Sequence, residues 1–494
     1  MSHADPAPSP LPRLRLSVSV TTIPATSLPA TTSDAGFVRD ARLRAGAAPH
    51  VILCGDGDHP CARRSFAAFA PALLLLVKNG VTIVRSARGD RTGSGNPFDL
   101  LDALLHGIVR TDGTTDGNPD TGRSVDVPLC AGMVAYEAGR YIEALPARAE
   151  DRLGLPDVFF LFPTAVRMLD RATGRVRNAA LCWEDDEGPL PPLAAVDAGT
   201  TSTPATMIDG PLVRGFTRAR YIEAVERVRR HIRDGDVYQV NLSQRFNAPL
   251  DGDPFALWLR MIARNPVPFS AWVDGGNYQL LSASMERFFR IERGDGAGDR
   301  IETRPIKGTR PRGRDDAETA QLAEELLRSE KDAAELAMIV DLERNDLGKV
   351  CQTGSVRVAA HGMIERYADV QHLVSIVEGR LRNGTRIGEV FDALFPGGSI
   401  TGCPKIRAME IIDTLEPETR HAYTGAIGYI TTDGAADFNI AIRTAIATRG
   451  RIHYSVGGGI VCDSDPAAEY LETLHKGRTF FELAHIRTEL DERT

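Results

Sequence analysis

Cysteine, tryptophan and long apolar runs are all scarce in this 494-residue sequence. The seven cysteines are an odd number, lie far apart and form no CxxC pair, which argues against a disulfide scaffold, a zinc site or a redox motif. Reduced thiols in a cytoplasmic protein are expected instead. No apolar run reaches the ~18 residues that a membrane helix needs, and the beginning lacks the basic-then-apolar order of a signal peptide. Membrane insertion and secretion are therefore not expected.

A surplus of positive charge is also missing. The formal net charge is -8 and the pI is about 5.8, so the chain has no general attraction for nucleic acid or for acidic membrane surfaces. Its proportions of hydrophobic residues (43%) and charged residues (25%) are those of an ordinary globular protein. This composition favours small-molecule chemistry around a large core.

The sequence divides into four stretches by composition. Residues 1–45 begin with a Pro-, Ser- and Ala-rich dozen and are expected to be partly disordered, whereas 46–183 has the texture of strands and loops. Residues 184–212 form a linker that is rich in Pro, Ala, Thr and Gly. Residues 213–487 mix helices with strands and contain every candidate for chemistry.

Periodicity in the last stretch predicts an α+β protein. Apolar spacing after Thr217 indicates a capped helix, and the other helices are expected near 316–340, 404–415 and 466–485. Strands are expected near 237–246, 269–274, 278–292, 422–432, 437–448 and 452–461. Several of these strands are joined by turns that are too short for a helical crossover, so antiparallel pairing is favoured.

Acidic side chains recur at helical spacing in two places. Asp332 and Glu335 lie three residues apart, as do Glu469 and Glu472, so each pair would share a helix face. Lys476 follows Glu472 on the same face. Solvated helix faces also carry such pairs, so spacing alone leaves both interpretations open. Carboxylates from two helices, completed by water and substrate oxygens, suit Mg²⁺.

The segment 395–405 is a glycine-rich loop that runs into a helix near Pro404. Backbone N–H groups at such a helix start favour an anion. A nucleotide-binding P-loop is the competing idea, but it needs a lysine directly after its second glycine, and two residues separate Gly402 from Lys405. Gly457–Gly459 is a second place where bare backbone could approach a ligand, or a bulge in a strand.

Lys307 is flanked by arginines in the stretch 303–310. A basic surface loop is one explanation of this pattern. The other explanation is catalytic, because a lysine that is desolvated or held near other cations has a lowered pKa and can act as a nucleophilic amine.

Taken in order, these segments resemble the chorismate-utilising enzymes, a family that includes anthranilate, aminodeoxychorismate, isochorismate and salicylate synthases. The likeness is strong over roughly 215–485 and weaker over 49–180. The motifs that carry it are the stretches 331–346, 398–405, 437–444 and 457–476, with Ala135–Arg140 and Glu143–Pro146 in the weaker part. The resemblance implies an α+β fold with two stacked antiparallel β-sheets flanked by helices and an active site between the sheets.

The resemblance also implies roles for individual acids. Glu335 and Glu472 match the ligands of a Mg²⁺ ion that holds the ring carboxylate of chorismate, and Glu469 and Asp332 match nearby groups that act through water or support the ligands. Glu286 matches the general acid that protonates the departing C4 hydroxyl, a role that needs a carboxyl kept protonated by burial. A non-catalytic homologue would be expected to lose one of these acids, and none is lost.

Other positions match contacts to the substrate. Cationic side chains and N–H groups are suitable partners for a dicarboxylate. His372 matches an active-site histidine, although a lone histidine can also be a core residue. The positions that match substrate contacts are Arg443, Tyr429, Lys476, Thr401, Gly458 and Gly459.

Two positions separate the members of the family. Water-adding relatives place a lysine base where this chain has Gln239, which cannot take a proton from water. Anthranilate synthases typically carry alanine at the position of Lys307, whereas the stretch 305–309 resembles aminodeoxychorismate synthases. The resemblance therefore predicts amination of chorismate to 4-amino-4-deoxychorismate, for para-aminobenzoate and folate biosynthesis, with anthranilate formation as the alternative.

The source of ammonia is expected to be a separate subunit. A class I glutaminase has a Gly-x-Cys-x-Gly nucleophile elbow, and none of the seven cysteines has that setting. The resemblance therefore implies a glutamine amidotransferase partner.

Overall fold

The computed structural model describes residues 13–23, 34–55, 59–110, 127–194, 212–294 and 298–485. Its α-helices are α1 (Asp34–Ala45), α2 (Pro97–His106), α3 (Arg218–Arg233), α4 (Pro254–Arg264), α5 (Asp316–Arg328), α6 (Glu330–Gly348), α7 (Ile387–Leu394), α8 (Lys405–Leu415) and α9 (Pro466–Leu483). Short 3₁₀ helices cover Tyr136–Tyr141 and Gly398–Ile400. No helix within these ranges is long and apolar enough to cross a membrane.

The strands of the described residues alternate with these helices irregularly. They are β1 (Leu14–Ile23), β2 (His50–Cys54), β3 (Arg64–Lys78), β4 (Val81–Ser86), β5 (Gly89–Ser94), β6 (Ile108–Arg110), β7 (Pro128–Val134), β8 (Val158–Asp170), β9 (Arg175–Asp185), β10 (Gly188–Leu190), β11 (Val213–Arg214), β12 (Gln239–Pro249), β13 (Phe269–Asp274), β14 (Tyr278–Ser284), β15 (Arg287–Glu292), β16 (Arg300–Arg304), β17 (Ile306–Pro311), β18 (Arg357–Arg366), β19 (Val370–Arg380), β20 (Gly402–Cys403), β21 (Ala426–Thr431), β22 (Ala436–Ile440), β23 (Thr444–Thr448) and β24 (Arg451–Ile460). The predicted α+β class is confirmed.

The strands form one large, curled and mostly antiparallel sheet. The stretches 46–183 and 213–487 share it, because β2 pairs with β13 and β7 pairs with β21. The pair formed by β1 and β6 is parallel. The same two stretches also contribute to one hydrophobic core, in which Trp183, Trp258 and Trp272 are fully buried. The two stretches therefore share one sheet and one hydrophobic core.

The N-cap that the sequence predicts for α3 is present in the structure. The Thr217 side chain accepts a hydrogen bond from Arg220 N at the start of α3, as its position predicts. The helix expected over 316–340 is two helices, because Ser329 has an extended conformation that ends α5, while its hydroxyl accepts from Asp332 N at the start of α6. The periodicity of apolar residues continues across such a break, so periodicity alone does not reveal the break.

The predicted strands are interrupted where site residues lie. The strand expected over 278–292 breaks at 285–286, and the one expected over 437–448 breaks at 441–443. Pro305 separates β16 from β17 in the same way, because a proline has no N–H to give to the ladder. Backbone that leaves the ladder can turn a side chain towards a ligand.

The first stretch and the linker are more ordered than expected. Residues 1–45 contribute β1, which pairs with β9, and α1, whose Val38 is fully buried; residues 1–12 and 24–33 lie outside the described residues. The linker expected over 184–212 begins inside β9 and continues into β10, which pairs back on β9. Residues 195–211 lie outside the described ranges.

Candidate active site

A β-bulge sets the direction of the Lys307 side chain. The register of β17 against β19 shifts between Lys307 and Thr309, and a bulge re-aims the side chains beside it. Gly308 has φ +70°, and a Cβ there would lie 3.0 Å from side-chain atoms of Asp332. Glycine meets both constraints without strain. Lys307 Nζ is left 3.1 Å from the carbonyl oxygen of Ser399, to which it donates.

The surroundings of Lys307 lower the pKa of its side-chain amine. Burial lowers the pKa of its ammonium group, and the nearby charge of Lys476 lowers this pKa further. The carboxylates of Glu335 and Glu286 raise it again, but the net shift is downward. A lysine with a lowered pKa is neutral for a larger fraction of the time, and only the neutral amine is a nucleophile.

Glu286 occupies the break between β14 and β15. The residue is 4% exposed, its Oε1 accepts from Ile306 N at 3.3 Å, and its carbonyl oxygen accepts from Ile440 N at 3.0 Å. Burial raises the pKa of this carboxyl to about 7, although the cation of Lys307 opposes the rise. A carboxyl that still carries its proton near neutral pH can act as a general acid.

Several buried polar atoms in this region lack a hydrogen-bond partner among the described residues, and they include both amide atoms of Gln239 and Nε2 of His372. His372 Nδ1 lies 3.0 Å from Thr309 Oγ1, and burial lowers the pKa of the imidazole to about 4, so the ring is neutral. Gly459 leaves room for Gln239, since a Cβ there would lie 2.5 Å from Nε2. Buried polar atoms are normally satisfied, so these atoms indicate a polar ligand.

Side chains of α9 converge on the backbone of Gly458. A Cβ at Gly458 would lie 3.3 Å from Glu469 Oε2, 3.5 Å from Glu472 Oε1 and 3.6 Å from Lys476 Nζ. Lys476 Nζ is 2.7 Å from Glu472 Oε1 and donates to Gly457 O at 3.1 Å. The bare backbone therefore leaves a polar space into which a carboxylate can enter.

Glu335 approaches the same space from α6. Burial raises the pKa of its carboxyl, and the negative charges of Asp332 and Glu472 contribute to the rise, while Lys307 opposes it. Carboxylates that repel one another in a half-buried site have the donor chemistry for a hard divalent cation. Glu335 and Glu472 thus fit the predicted Mg²⁺ ligands.

The two other carboxylates predicted near the ion are already engaged. Asp332 Oδ2 is 3.1 Å from Arg310 Nη2, and Glu469 Oε1 accepts from the Ser464 hydroxyl at 2.6 Å. Over the described ranges, no group of three or more His, Cys, Asp or Glu side chains is placed to hold a metal ion. A cation would therefore take two protein carboxylates and fill its other positions with water and substrate oxygens.

Arg443 and Thr401 each lie just before a strand, Arg443 before β23 and Thr401 before β20. Arg443 has φ +51°, a conformation that is uncommon for a residue with a side chain and frequent at functional sites. Its positive charge contributes to the lowered pKa of His372. Thr401 is fully buried, its hydroxyl donates to Gly397 O at 2.9 Å, and its carbonyl accepts from Asn241 N at 2.8 Å.

Tyr429 is not brought to this site. Its ring centroid lies 4.7 Å from that of Phe66, and the residue lines a second cavity of about 170 Å³ together with Arg290 and Asp437. Two buried tyrosines, Tyr423 and Tyr454, are close enough to Arg443 for its charge to oppose the rise in pKa that burial causes. The structure therefore does not bring Tyr429 together with the other predicted contacts to the substrate.

The sequence profile of chorismate binding enzymes matches residues 64–482. The chain belongs to the chorismate-binding enzyme family. Its sequence is 42% identical to anthranilate synthase component 1 of Thermus thermophilus, over 72% of this chain and 77% of that protein. It is 38% identical to aminodeoxychorismate synthase component 1 of Klebsiella aerogenes, over 86% and 91%.

Solved structures agree with this assignment. Anthranilate synthase component I from Streptococcus pneumoniae superposes with a TM-score of 0.68 at 29% identity, covering 85% of this chain and 92% of that one. The menaquinone-specific isochorismate synthase of Escherichia coli superposes with a TM-score of 0.70 over 98% and 96% at 17% identity, which shows a common fold.

The glycine-rich loop of this chorismate-binding enzyme has no free lysine at its end. Lys405 Nζ lies 2.6 Å from Asp346 Oδ2 and donates to Leu394 O at 2.8 Å. The amine is thus committed to holding α8 against α6, as expected if the loop is not a phosphate-binding P-loop.

A buried arginine that sequence reasoning missed holds this loop in place. Arg420 donates to the carbonyls of Ile400 (3.1 Å) and Asn241 (2.6 Å), and pairs with Glu416 through two nitrogens at 2.9 and 2.6 Å. Its guanidinium lies 4.6 Å from the ring centroid of Tyr136. The motif at 135–140, which belongs to the weaker part of the family resemblance, therefore contacts the arginine that holds the glycine-rich loop.

Replacing Arg420 with methionine should lower the free energy of unfolding by about 3–5 kcal/mol, because it leaves the buried Glu416 carboxylate unpaired. Urea denaturation followed by fluorescence measures the change. Arg85→Met is the matched control, since Arg85 pairs with Asp90 at the surface and exposed pairs contribute about 0–1 kcal/mol. Equal losses in the two variants would contradict the role given to Arg420.

Glu343 is a second buried carboxyl close to the site. Its Oε2 accepts from the Thr303 hydroxyl at 2.6 Å. Burial raises the pKa of this carboxyl to about 8, and the charges of Glu286 and Asp346 also raise it. The folded chain therefore holds this proton more tightly than the unfolded chain does.

Replacing Glu343 with glutamine should make stability less sensitive to pH. Between about pH 4.5 and 8, ionisation of Glu343 favours the unfolded chain, so stability falls as pH rises and levels off above about 8. The variant lacks this titration and should gain on the order of 2–4 kcal/mol relative to the unsubstituted chain from pH 5 to pH 9. Denaturant titrations at both pH values measure it, and parallel curves would contradict a buried proton.

Proposed function

We propose that the chain is the chorismate-aminating component of aminodeoxychorismate synthase, which converts chorismate and ammonia to 4-amino-4-deoxychorismate. The observation that carries this proposal is the placement of Lys307, a partly buried amine with a lowered pKa, beside the protonated carboxyl of Glu286. Relatives that bear this name align over 84–86% of the chain. A nucleophile beside an acid is the pairing that displacement of a hydroxyl group requires.

The substrate is held by charge. Arg443 and Lys476 supply cations for the two carboxylates of chorismate, and the unpartnered atoms of Gln239 and His372 supply further hydrogen bonds. Mg²⁺ held by Glu335 and Glu472 would neutralise the ring carboxylate. The glycine backbone at 457–459 lets the ring approach without a steric clash.

The chemistry proceeds in two balanced steps. Lys307 Nζ forms a bond to C2 of chorismate, both double bonds of the ring diene shift by one position, and the C4 hydroxyl departs as water with the proton of Glu286. Ammonia then forms a bond to C4, both double bonds shift back, and the bond between C2 and Lys307 breaks so that the lysine leaves as a neutral amine. The Glu286 carboxylate takes up the proton that the ammonium group releases, so the enzyme is regenerated.

Ammonia is proposed to come from a second subunit. The relatives cited above are named component 1, which indicates enzymes with more than one component. We assign the missing role to a glutamine amidotransferase, as the absence of a glutaminase nucleophile motif predicts.

Anthranilate formation is the second candidate, because relatives named anthranilate synthase reach 42% and 39% identity. Incubation of the purified chain with chorismate, Mg²⁺ and an ammonium salt decides between the two. A product that aminodeoxychorismate lyase converts to para-aminobenzoate supports the proposal. Fluorescent anthranilate released without the lyase would overturn it.

A further inference from the structure

Two exposed apolar side chains stand on adjoining segments of the chain, beside Gln239. Tyr238 is 71% exposed and Ile406 is 43% exposed. Their segments are joined, because Tyr238 N donates to Cys403 O at 2.7 Å. We refer to Tyr238, Cys403 and Ile406 as the outer patch. Large apolar side chains with such exposure are uncommon on this chain, and a tyrosine in that position is typical of an interface anchor.

Charged side chains that are already paired surround the outer patch. Arg407 Nη2 is 3.0 Å from Asp236 Oδ2 on one side. On the other side Asp341 pairs with Arg344 at 3.1 Å, and the Asp341 charge helps to raise the pKa of the Cys403 thiol. An apolar centre with a polar rim is the usual anatomy of a protein interface. The rim charges need no partner to compensate them, so a docked protein covers the centre at little electrostatic cost.

The outer patch is the outside of the strand pair whose inside lines the active site. Gln239 follows Tyr238 directly, and Gly402 pairs with Val240 across β12 and β20. The amide of Gln239 lies buried among the catalytic groups. A protein that sits on the outer patch is therefore one strand away from the place where ammonia is consumed.

We propose that the outer patch is the docking surface of the glutamine amidotransferase subunit. The inference rests on the proposed amination of chorismate. Ammonia released far from the site would be protonated and diluted, so its donor must dock close to the consuming centre. The component naming of the relatives supplies the need for a second protein, and the outer patch supplies an apolar centre beside the site.

The test compares two nitrogen sources in Tyr238→Glu and Ile406→Glu variants of the full chain. The probe is an amidotransferase subunit that gives the unsubstituted chain glutamine-dependent turnover. A buried charge at an interface anchor costs at least about 2 kcal/mol, so the glutamine-dependent rate at a subunit concentration near Kd should fall more than about tenfold. The rate with an ammonium salt should change less than twofold, because neither residue belongs to the catalytic machinery.

Leu43→Glu is the matched control. Leu43 is 82% exposed on α1, so this variant adds the same charge at another exposed apolar position. Both of its rates should equal those of the unsubstituted chain. Unchanged glutamine-dependent rates in the outer-patch variants would overturn the docking surface while leaving amination intact. Loss of the ammonium-dependent product in the unsubstituted chain would instead refute the proposed function.

Hydrogen exchange on the unsubstituted chain tests the surface without any substitution. Adding the amidotransferase subunit should slow amide exchange in the segments 236–238 and 403–407 but not in α1. Exchange that stays unchanged in both segments would overturn the proposal. A second outcome would also overturn the proposal. If the outer-patch variants converted a dimer of this chain into a monomer and kept the full glutamine-dependent rate, the occupant of the patch would be a second copy of the chain.

Discussion

Replacing Lys307 with alanine should slow the formation of 4-amino-4-deoxychorismate by at least about 10³-fold, as expected when a nucleophile is removed from a catalytic unit. The amine donates to Ser399 O at 3.1 Å and lies within the electrostatic reach of Glu286. Chorismate binding should persist, because Arg443 and Lys476 remain.

Two measurements check the role of Lys307. Product formation from chorismate and an ammonium salt gives the rate, and mass spectrometry of the quenched enzyme detects the covalent adduct that only the unsubstituted lysine can form. Lys349→Ala is the control, because Lys349 is an exposed lysine paired with Asp346. A Lys307→Ala variant that keeps the full rate would remove the lysine from the mechanism.

Replacing Glu286 with glutamine should lower the rate by about 10²–10⁴-fold, which is the usual contribution of a general acid. Glutamine keeps the shape of the side chain and can still accept from Ile306 N, so the substrate should bind with a similar affinity. The loss should therefore appear in kcat rather than in KM. A loss confined to KM would indicate a binding role for Glu286.

The pH dependence has a definite sign. Glu286 must be protonated to act, and burial places its pKa at about 7, so kcat/KM should fall as pH rises above about 7. Lys307 must be neutral, so the acid side of the profile should rise with pH, beginning below the ordinary range of lysine because its pKa is lowered. Rates are compared at a constant concentration of free ammonia. A Glu286→Gln variant that retains the fall above pH 7 would assign that limb to another group.

The acids and the lysine were predictable because each stands in a motif that resembles the family, whereas helical spacing alone predicts only that the members of an acid pair share a face. Glu469 and Glu472 lie on one turn of α9, and any helix there brings both to the same side. Asp332 shows the limit of this reasoning. It shares a turn of α6 with Glu335 as predicted, but its carboxylate pairs with Arg310, which lies on β17.

The position of Tyr429 away from the site could not be predicted from the sequence. The family resemblance matched Tyr429 to a substrate contact, and Tyr423 lies only six residues earlier in the chain. The backbone separates them, because His421 and Thr424 have φ of +54° and +60° and turn the chain before β21 begins. Positive φ at residues other than glycine leaves no mark in a sequence. The hydrogen bonds of Arg420 are equally invisible, since Ile400 and Asn241 are distant from it in the sequence.

The sheet that spans both halves of the chain has a practical outcome for anyone who seeks a minimal catalytic fragment. A fragment that starts at residue 212 would contain every predicted catalytic side chain, yet it would lack β2 and β7. The edges of β13 and β21 would then be bare along their whole ladders, and unpaired edges of buried, apolar strands associate with one another. Such a fragment should form insoluble aggregates. The first half of the chain therefore keeps the second half soluble by pairing with strand edges that would otherwise be open.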